Sequence, residues 1–384
     1  MQHKHIAKRL WAEGAGLALD AEALKRFDNV IDLSIGDTDF ITDARIIDAA
    51  FQDARAGYTK YGDPHGDPEL IDAVRGYYLA EYGMQVAADE VFVTASSCMG
   101  MELALLSILN PGDEVLVFSP YFTPYKAQIE LAGGVFAEVP TYEADGYAIR
   151  EDAIRARLTD RTRAVIFNNP VNPTGVAYGM DTLELIARIA KERDLIVLAD
   201  EIYTHYMFEG DRFTPLMTLP GMRERTVTLN SFSKNFMMTG WRIGYVVAAK
   251  HFTHAMQSVN NNMVYCSPSV SQRAALHALK LRDEIGSVYI DEYRRRVYYA
   301  SDRVNALPYL SVLKPKGTFY LFPNCTKTGL SSKEFCAALF ERAHVLVAPG
   351  NAFGSTGEGH FRIACTVGTD ILKEAFDRME KLAF

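Results

Sequence analysis

The chain has 384 residues, with 40 lysines and arginines against 48 aspartates and glutamates and a formal net charge of -8. That length holds about two or three domain-sized units with material for a core, and the acidic balance argues against nucleic acid or an anionic membrane as a bulk partner. The five cysteines, Cys98, Cys266, Cys325, Cys336 and Cys365, are scattered and include no Cys-x-x-Cys pair, so reduced thiols in a cytoplasmic protein are expected, with no disulfide and no zinc site.

In chain order, Met1 to Arg9 is basic but runs on into charged, helix-like sequence, so no signal peptide is expected, and no stretch approaches membrane-spanning length. Val91-Phe92-Val93-Thr94 reads as a buried strand. After it, Thr94-Ala95-Ser96-Ser97-Cys98 opens an apolar helix through Leu109, so small residues and free backbone N–H groups meet at a helix N-terminus, a ready anion site. Further strands are predicted over residues 114–118, 164–167, 195–199 and 226–230, each separated from the next by a helix-length segment. That alternation predicts a mostly parallel sheet covered by helices. His251 and His254 share a helical face, but no further ligands cluster near them, so no metal site is expected. Past about residue 275 the pattern changes to a long charged helix over 283–305 and short strands near 318–322 and Phe361–Ala364, a second and smaller α+β unit. Without repeats or Gly/Ser linkers, the two units should pack together.

Polar residues gather where the predicted strands end. Lys234, in Ser231-Phe232-Ser233-Lys234-Asn235-Phe236, emerges at the C-terminal end of the strand over 226–230, where open α/β sheets place their ligands. An amine desolvated there, or set beside a cation such as Arg242, becomes able to attack a carbonyl near neutral pH. The strand ending at Ala199 is followed by Asp200-Glu201-Ile202-Tyr203, a carboxylate in need of a cationic partner with a phenol close behind. The strand ending at Phe167 leads into Asn168-Asn169-Pro170-Val171-Asn172-Pro173-Thr174-Gly175, a stiff turn that presents Asn172. Ser231 and Arg242 add donors for an anion at the Ser97 and Cys98 backbone. Arg362, bracketed by Phe361, Ile363 and Ala364, is expected to be part-buried and so to need an anion.

Together, Ser231-x-Ser233-Lys234 with Gly240-Trp241-Arg242-Ile243-Gly244, Asn172-Pro173-Thr174-Gly175, Asp200-Glu201-Ile202-Tyr203 and Ser119-Pro120-Tyr121-Phe122 resemble the class I/II aminotransferases of fold type I, from about Ile31 to Arg362. The resemblance implies an α/β fold: a large domain over 41–275 with a mostly parallel seven-stranded sheet, a small C-terminal domain over 276–384, and an arm over 1–40 that joins the small domain. It implies pyridoxal 5'-phosphate held as an aldimine on Lys234, with Asp200 on the pyridinium nitrogen, Tyr203 and Asn172 on the phenolic oxygen, and Phe122 stacked on the ring. The phosphate would meet Ser231, Arg242 and the backbone at Ser97 and Cys98. Tyr61 matches the tyrosine that reaches the phosphate of a neighbouring subunit, so a homodimer is expected. Arg362 would take the substrate α-carboxylate, and Gly36 would let the backbone come close to it. The activity implied is transfer of an amino group from an L-amino acid to a 2-oxo acid in two half-reactions.

Three departures from the pattern bear on substrate choice. Cys98 stands where some aspartate-using relatives carry a lysine, Thr38-Asp39-Phe40 replaces Pro-Asp-Phe, and Phe122 replaces a tryptophan or tyrosine. A β-lyase on the same fold is the alternative. An effector-binding module behind a DNA-binding domain fits poorly with about 30 residues ahead of Ile31, and a dinucleotide-binding oxidoreductase lacks its Gly-x-Gly-x-x-Gly.

Overall fold

A computed structural model describes residues 26–209 and 212–384, with His5 and Ala7. The reading of Met1 to Arg9, apart from those two residues, and of the arm before Arg26 lies outside the described residues. Twelve strands occur among the described residues: β1 (Ile31–Asp32), β2 (Val91–Thr94), β3 (Glu114–Ser119), β4 (Val135–Pro140), β5 (Thr162–Asn168), β6 (Ile196–Asp200), β7 (Thr226–Ser231), β8 (Gly244–Ala248), β9 (Tyr320–Leu321), β10 (Val345–Leu346), β11 (Ala348–Pro349) and β12 (Phe361–Ala364).

Seven of them form one sheet in the order β2-β8-β7-β6-β5-β3-β4. Every pairing from β7 to β4 is parallel, and β8 alone runs antiparallel to both of its neighbours. The apolar runs that marked these strands are unbroken because both faces are covered. Val115 and Val117 pack on one side with the helices Ser97–Ile108 and Lys250–Asn260, while Leu116 and Phe118 pack on the other with Met180–Glu192. Near β2 and β8 that second side is covered by Pro68–Tyr82 and Ser269–Lys280.

Two strands of this sheet were not predicted. β4 is an edge strand, mostly part-exposed and closed by Pro140, so its composition lacks a core signal. β8 is fully buried, but it is only five residues long and begins at Gly244, at the end of the Gly240-Trp241-Arg242-Ile243-Gly244 segment.

The remaining strands are short. β1 pairs with β10, and β9, β12 and β11 make a three-stranded antiparallel sheet. They share a core with the helices Arg282–Ala306, Ser332–Ala343 and Thr369–Met379, built from Tyr293, Val297, Phe335, Leu339, Phe361 and Phe376. Ile31 and Leu33 belong to that same core, so a segment from the start of the chain is packed with its end. Among the described residues no helix is long and apolar enough to cross a membrane, and all five cysteines are unbridged.

The topology sets where chemistry can occur. β2, β5, β6 and β7 point their C-terminal ends to one edge, and antiparallel β8 brings its N-terminal end to the same edge. Gly244, the first residue of β8, is where that edge is tightest. A Cβ there would sit 2.8 Å from both Asn230 O and Ser97 N, which are backbone atoms with little freedom to yield. Gly244→Ala is therefore expected to cost about 1–3 kcal/mol through overpacking and to lower the urea midpoint. An unchanged midpoint would show that the strand end can shift to admit a methyl group.

Candidate active site

At that edge lies a cavity of about 460 Å³. Eleven of the residues singled out in the sequence line it: Gly36, Ser97, Cys98, Phe122, Asn172, Asp200, Tyr203, Ser231, Lys234, Arg242 and Arg362. Tyr61 does not. It is 86% exposed, in a separate surface groove, with its ring 5.6 Å from that of Tyr265.

Asp200 closes β6 and is buried. Its Oδ2 accepts a hydrogen bond from the Tyr125 hydroxyl, and its Oδ1 is buried without a partner. Burial pushes the carboxyl up to about 6, against the opposing pull of the Tyr125 hydrogen bond. The neighbouring strand end is tied to it by Asn168. Asn168 Nδ2 donates to Asp200 O at 2.9 Å, and its Oδ1 accepts from the Asn172 amide at 2.9 Å, so one side chain fixes both β6 and the turn that carries Asn172.

Lys234 lies in the four-residue helix Phe232–Asn235, which Ser231 caps by accepting the Ser233 amide at 2.9 Å. The Ser231 hydroxyl also points to Ile243 O at 3.4 Å, so it faces the cavity with local partners already in place. Lys234 Nζ donates to Gly36 O and sits 5.5 Å from the Phe319 ring, and no carboxylate among the described residues pairs with it. Gly36 has a structural reason to be glycine beyond close approach of a ligand. A Cβ there would occupy the place of the Tyr320 hydroxyl.

The other end of the cavity is the start of the helix Ser97–Ile108, where Ser96 Oγ accepts the Met99 amide at 3.1 Å. Arg242 stands beside it with a left-handed backbone, φ 51°, its guanidinium exposed and donating to Thr239 O at 2.8 Å. Burial raises the Cys98 thiol, which therefore stays neutral.

Arg362 on β12 is more deeply enclosed than its sequence suggested, at 3% exposure. Nη1 donates to Asn172 Oδ1 at 3.0 Å, Nη2 donates to Ser34 O at 2.5 Å, and Nε is buried without a partner. The rings of Tyr320 and Phe353 lie 4.5 Å and 4.8 Å from its guanidinium carbon. No carboxylate among the described residues is within ion-pairing distance, and burial pulls its pKa down. The guanidinium is thus buried with one donor unsatisfied, a costly arrangement without an anion beside it.

Several participants escaped the sequence reading. Tyr125, Asn168, Tyr320, Gln128 and Ser34 all orient or contact the residues above; Tyr320 OH, for example, accepts from Tyr203 OH at 3.3 Å. Tyr125 follows Phe122 at helical spacing, the one clue available. Among the described residues no group of three His, Cys, Asp or Glu side chains is assembled to hold a metal.

An open parallel sheet with a lysine, an aspartate and an unpaired arginine converging at its strand ends defines a class: α/β enzymes that bind a small anionic substrate beside a reactive amine. The family model for aminotransferase class I and II matches residues 28–379. The chain is 38% identical over 373 residues to an aspartate aminotransferase of Pyrococcus abyssi, covering 94% of this chain and 95% of that one. It is also 38% identical over 360 residues to the aromatic-amino-acid aminotransferase 2 of Thermococcus litoralis, covering 92% of each. A solved single mutant of the Thermus thermophilus aspartate aminotransferase superimposes with a TM-score of 0.93 at 32% identity, over 99% of this chain and 100% of that one. The chain belongs to the class I and II aminotransferase family, with the fold expected of it, and the family supports aminotransferase activity.

Glu201, next to Asp200, is also buried; its Oε1 accepts the Leu216 amide at 3.0 Å while Oε2 has no partner. Burial pushes it up to about 8 from an ordinary 4.5. A raised carboxyl pKa means that the folded state holds the proton after the unfolded state has lost it. Stability is therefore expected to fall as pH rises from about 4.5 to about 8, by roughly a few kcal/mol. Glu201→Gln keeps the acceptor for Leu216 and should flatten that slope in urea titrations across the same pH range; an equal slope in the variant would assign the pH dependence to other groups.

Proposed function

We propose that the chain is a pyridoxal 5'-phosphate-dependent aminotransferase that moves the amino group of an L-amino acid to a 2-oxo acid. The observation that carries this reading is that one cavity is lined by Asp200 and Arg362, each buried with a polar atom that has no partner, and by a lysine that no carboxylate among the described residues neutralises.

The residues fit that cofactor by their donor chemistry. Asp200 Oδ1 suits a protonated ring nitrogen, the Ser97–Ile108 N-terminus with Arg242 suits a phosphate, and the Lys234 amine suits an aldehyde. Phe122 offers a flat apolar face, and the Tyr203 hydroxyl and the Asn172 amide are donors suited to a phenolic oxygen in this reading. When bound, the cofactor supplies a carbonyl that receives the amino group and a ring that stores an electron pair. The protein's own residues do the rest. Arg362 binds the substrate α-carboxylate and fixes its orientation, with Asn172 Oδ1 and Ser34 O holding the guanidinium in place. Lys234 Nζ takes the α proton and returns it. Asp200 keeps a cationic N–H protonated. Enclosure at the strand ends excludes water and strengthens each of these interactions.

The active form in this reading is a homodimer. Tyr61, exposed and outside its own cavity, would serve the phosphate site of the partner. The chain would divide into a large unit over 41–275 and a small one built from 276–384 and part of 1–40, with β1 and β10 joining the two ends of the latter, and its reduced cysteines suit the cytoplasm.

Lys234→Ala is expected to bind the cofactor reversibly, so that dialysis removes it, and to slow amino acid conversion by at least about 10²–10⁴-fold. Reductive trapping with borohydride followed by peptide mapping should label Lys234 in the unaltered protein. Near-normal rates in the variant, or a label on another residue, would remove Lys234 from this role.

A further inference from the structure

The short helix beside Asp200 holds a further participant, an inference that rests on the aminotransferase reading above. We propose that Tyr125 is a positioning residue of this site, acting through Asp200: its hydrogen bond to Oδ2 fixes the carboxylate and keeps the proton shared with the cofactor's ring nitrogen on that nitrogen.

The contact lies inside one chain, because Tyr125 is 2% exposed and Asp200 6%. A buried phenol needs a partner for its hydroxyl, and this one donates to Asp200 Oδ2. The surroundings fix the direction of that bond. Burial, reinforced by the charge of Asp200, holds the Tyr125 pKa well above its ordinary value of 10.0, so the phenol remains a neutral donor and the carboxylate the acceptor. A donor stabilises the ionised form of its acceptor. When Asp200 shares a proton with a ring nitrogen, the bond from Tyr125 therefore favours the state in which the acid is charged and the nitrogen carries the proton.

The same helix ties the acid to the anion site. Tyr125 and Gln128 stand three residues apart in the helix Pro124–Leu131, on one face of it, and both line the cavity, as does Phe122 just ahead of them. Gln128 Nε2 donates to Cys98 O at 2.8 Å, in the first turn of the helix Ser97–Ile108. One short helix thus bonds to the carboxylate at one point and to the candidate phosphate site at another. A tyrosine held between them has little freedom to move, and neither has the carboxylate oxygen it grips.

The test measures binding of two probes to the protein, pyridoxal 5'-phosphate and its 1-deaza analogue, in which a C–H group replaces the ring nitrogen. Tyr125→Phe removes the hydroxyl and keeps the ring. This variant is expected to bind pyridoxal 5'-phosphate at least about tenfold more weakly than the unaltered protein does, and to bind the analogue to within about twofold as tightly. With nitrogen-15 in the ring, NMR of the loaded variant should show the nitrogen signal displaced from the pyridinium position toward that of neutral pyridine. Tyr125→Met, which also lacks a donor, repeats the comparison. Equal losses on both probes in both variants, no loss on either probe, or an unmoved nitrogen signal overturns the proposal and leaves the aminotransferase reading intact. An unaltered protein that takes up neither probe refutes that reading, and this proposal with it.

Discussion

A guanidinium buried without a carboxylate is the constraint around which the rest of the site is arranged. Taking an arginine out of water is costly, and here the compensation comes from neutral groups: an amide oxygen of Asn172, the carbonyl of Ser34 and the faces of Tyr320 and Phe353. Those groups come from four separate parts of the chain, so the arginine can be held only when the short strands and the turn after β5 are all in place. What they leave open is Nε. The charge is thus held by neutral groups and left without a counter-anion, the arrangement on which the proposed capture of a carboxylate relies.

The sheet supplies the second half of the arrangement. Parallel strands deliver their polar C-terminal residues to one edge, and each delivers a different chemistry: the Ser97–Ile108 helix start after β2, Asn168 at the end of β5 and Asn172 after it, Asp200 from β6, Lys234 after β7. The single antiparallel strand completes the set by entering from that edge, so Arg242 arrives from the opposite chain direction. The absence of a side chain at Gly244 allows its backbone to lie against Asn230 O and Ser97 N, which brings the arginine beside the helix N-terminus.

How much of this was legible in the sequence depended on whether a residue's role showed in its own neighbourhood. β2, β3, β5 and β6 were readable because burial on both faces leaves an apolar run, and β7 because Thr226, Val227, Thr228 and Leu229 favour a strand. β4 was hidden by being an edge strand, and β8 by being short and opening on a glycine. Asp200 was visible as a polar residue directly after an apolar run, and Lys234 as an amine a few residues beyond a predicted strand. Tyr125 and Tyr320 were not, because a tyrosine among apolar residues reads as core, and their hydroxyls act on groups 75 and 117 positions away, Asp200 and Tyr203. Asn168 was quoted only as part of a turn, although it is the side chain that joins β5 to β6. Tyr61 was reached through the family resemblance alone; nothing in its own surroundings points to a phosphate.

Asp200 and Glu201 show how one strand end separates two adjacent carboxyl groups. Both are buried and both are raised by burial, yet their partners differ. Asp200 is lowered by the Tyr125 hydroxyl on Oδ2 and by the Ile202 amide, and its Oδ1 has no side-chain partner, so a cation brought to it would stabilise the charged form and draw its pKa back down. Glu201 has a single backbone amide and lies close enough to Tyr78, Tyr82 and Tyr245 for its charge to raise each of them. Nothing there offsets a negative charge, so Glu201 stays protonated at neutral pH. That matters to its neighbour, because an ionised Glu201 would add a like charge beside Asp200 and hold the proton on it. The charge of Asp200 in turn adds to the rise of Glu201, so the two adjacent acids differ in place: Glu201 is a buried hydrogen-bonding group of the core, and Asp200 lines the cavity.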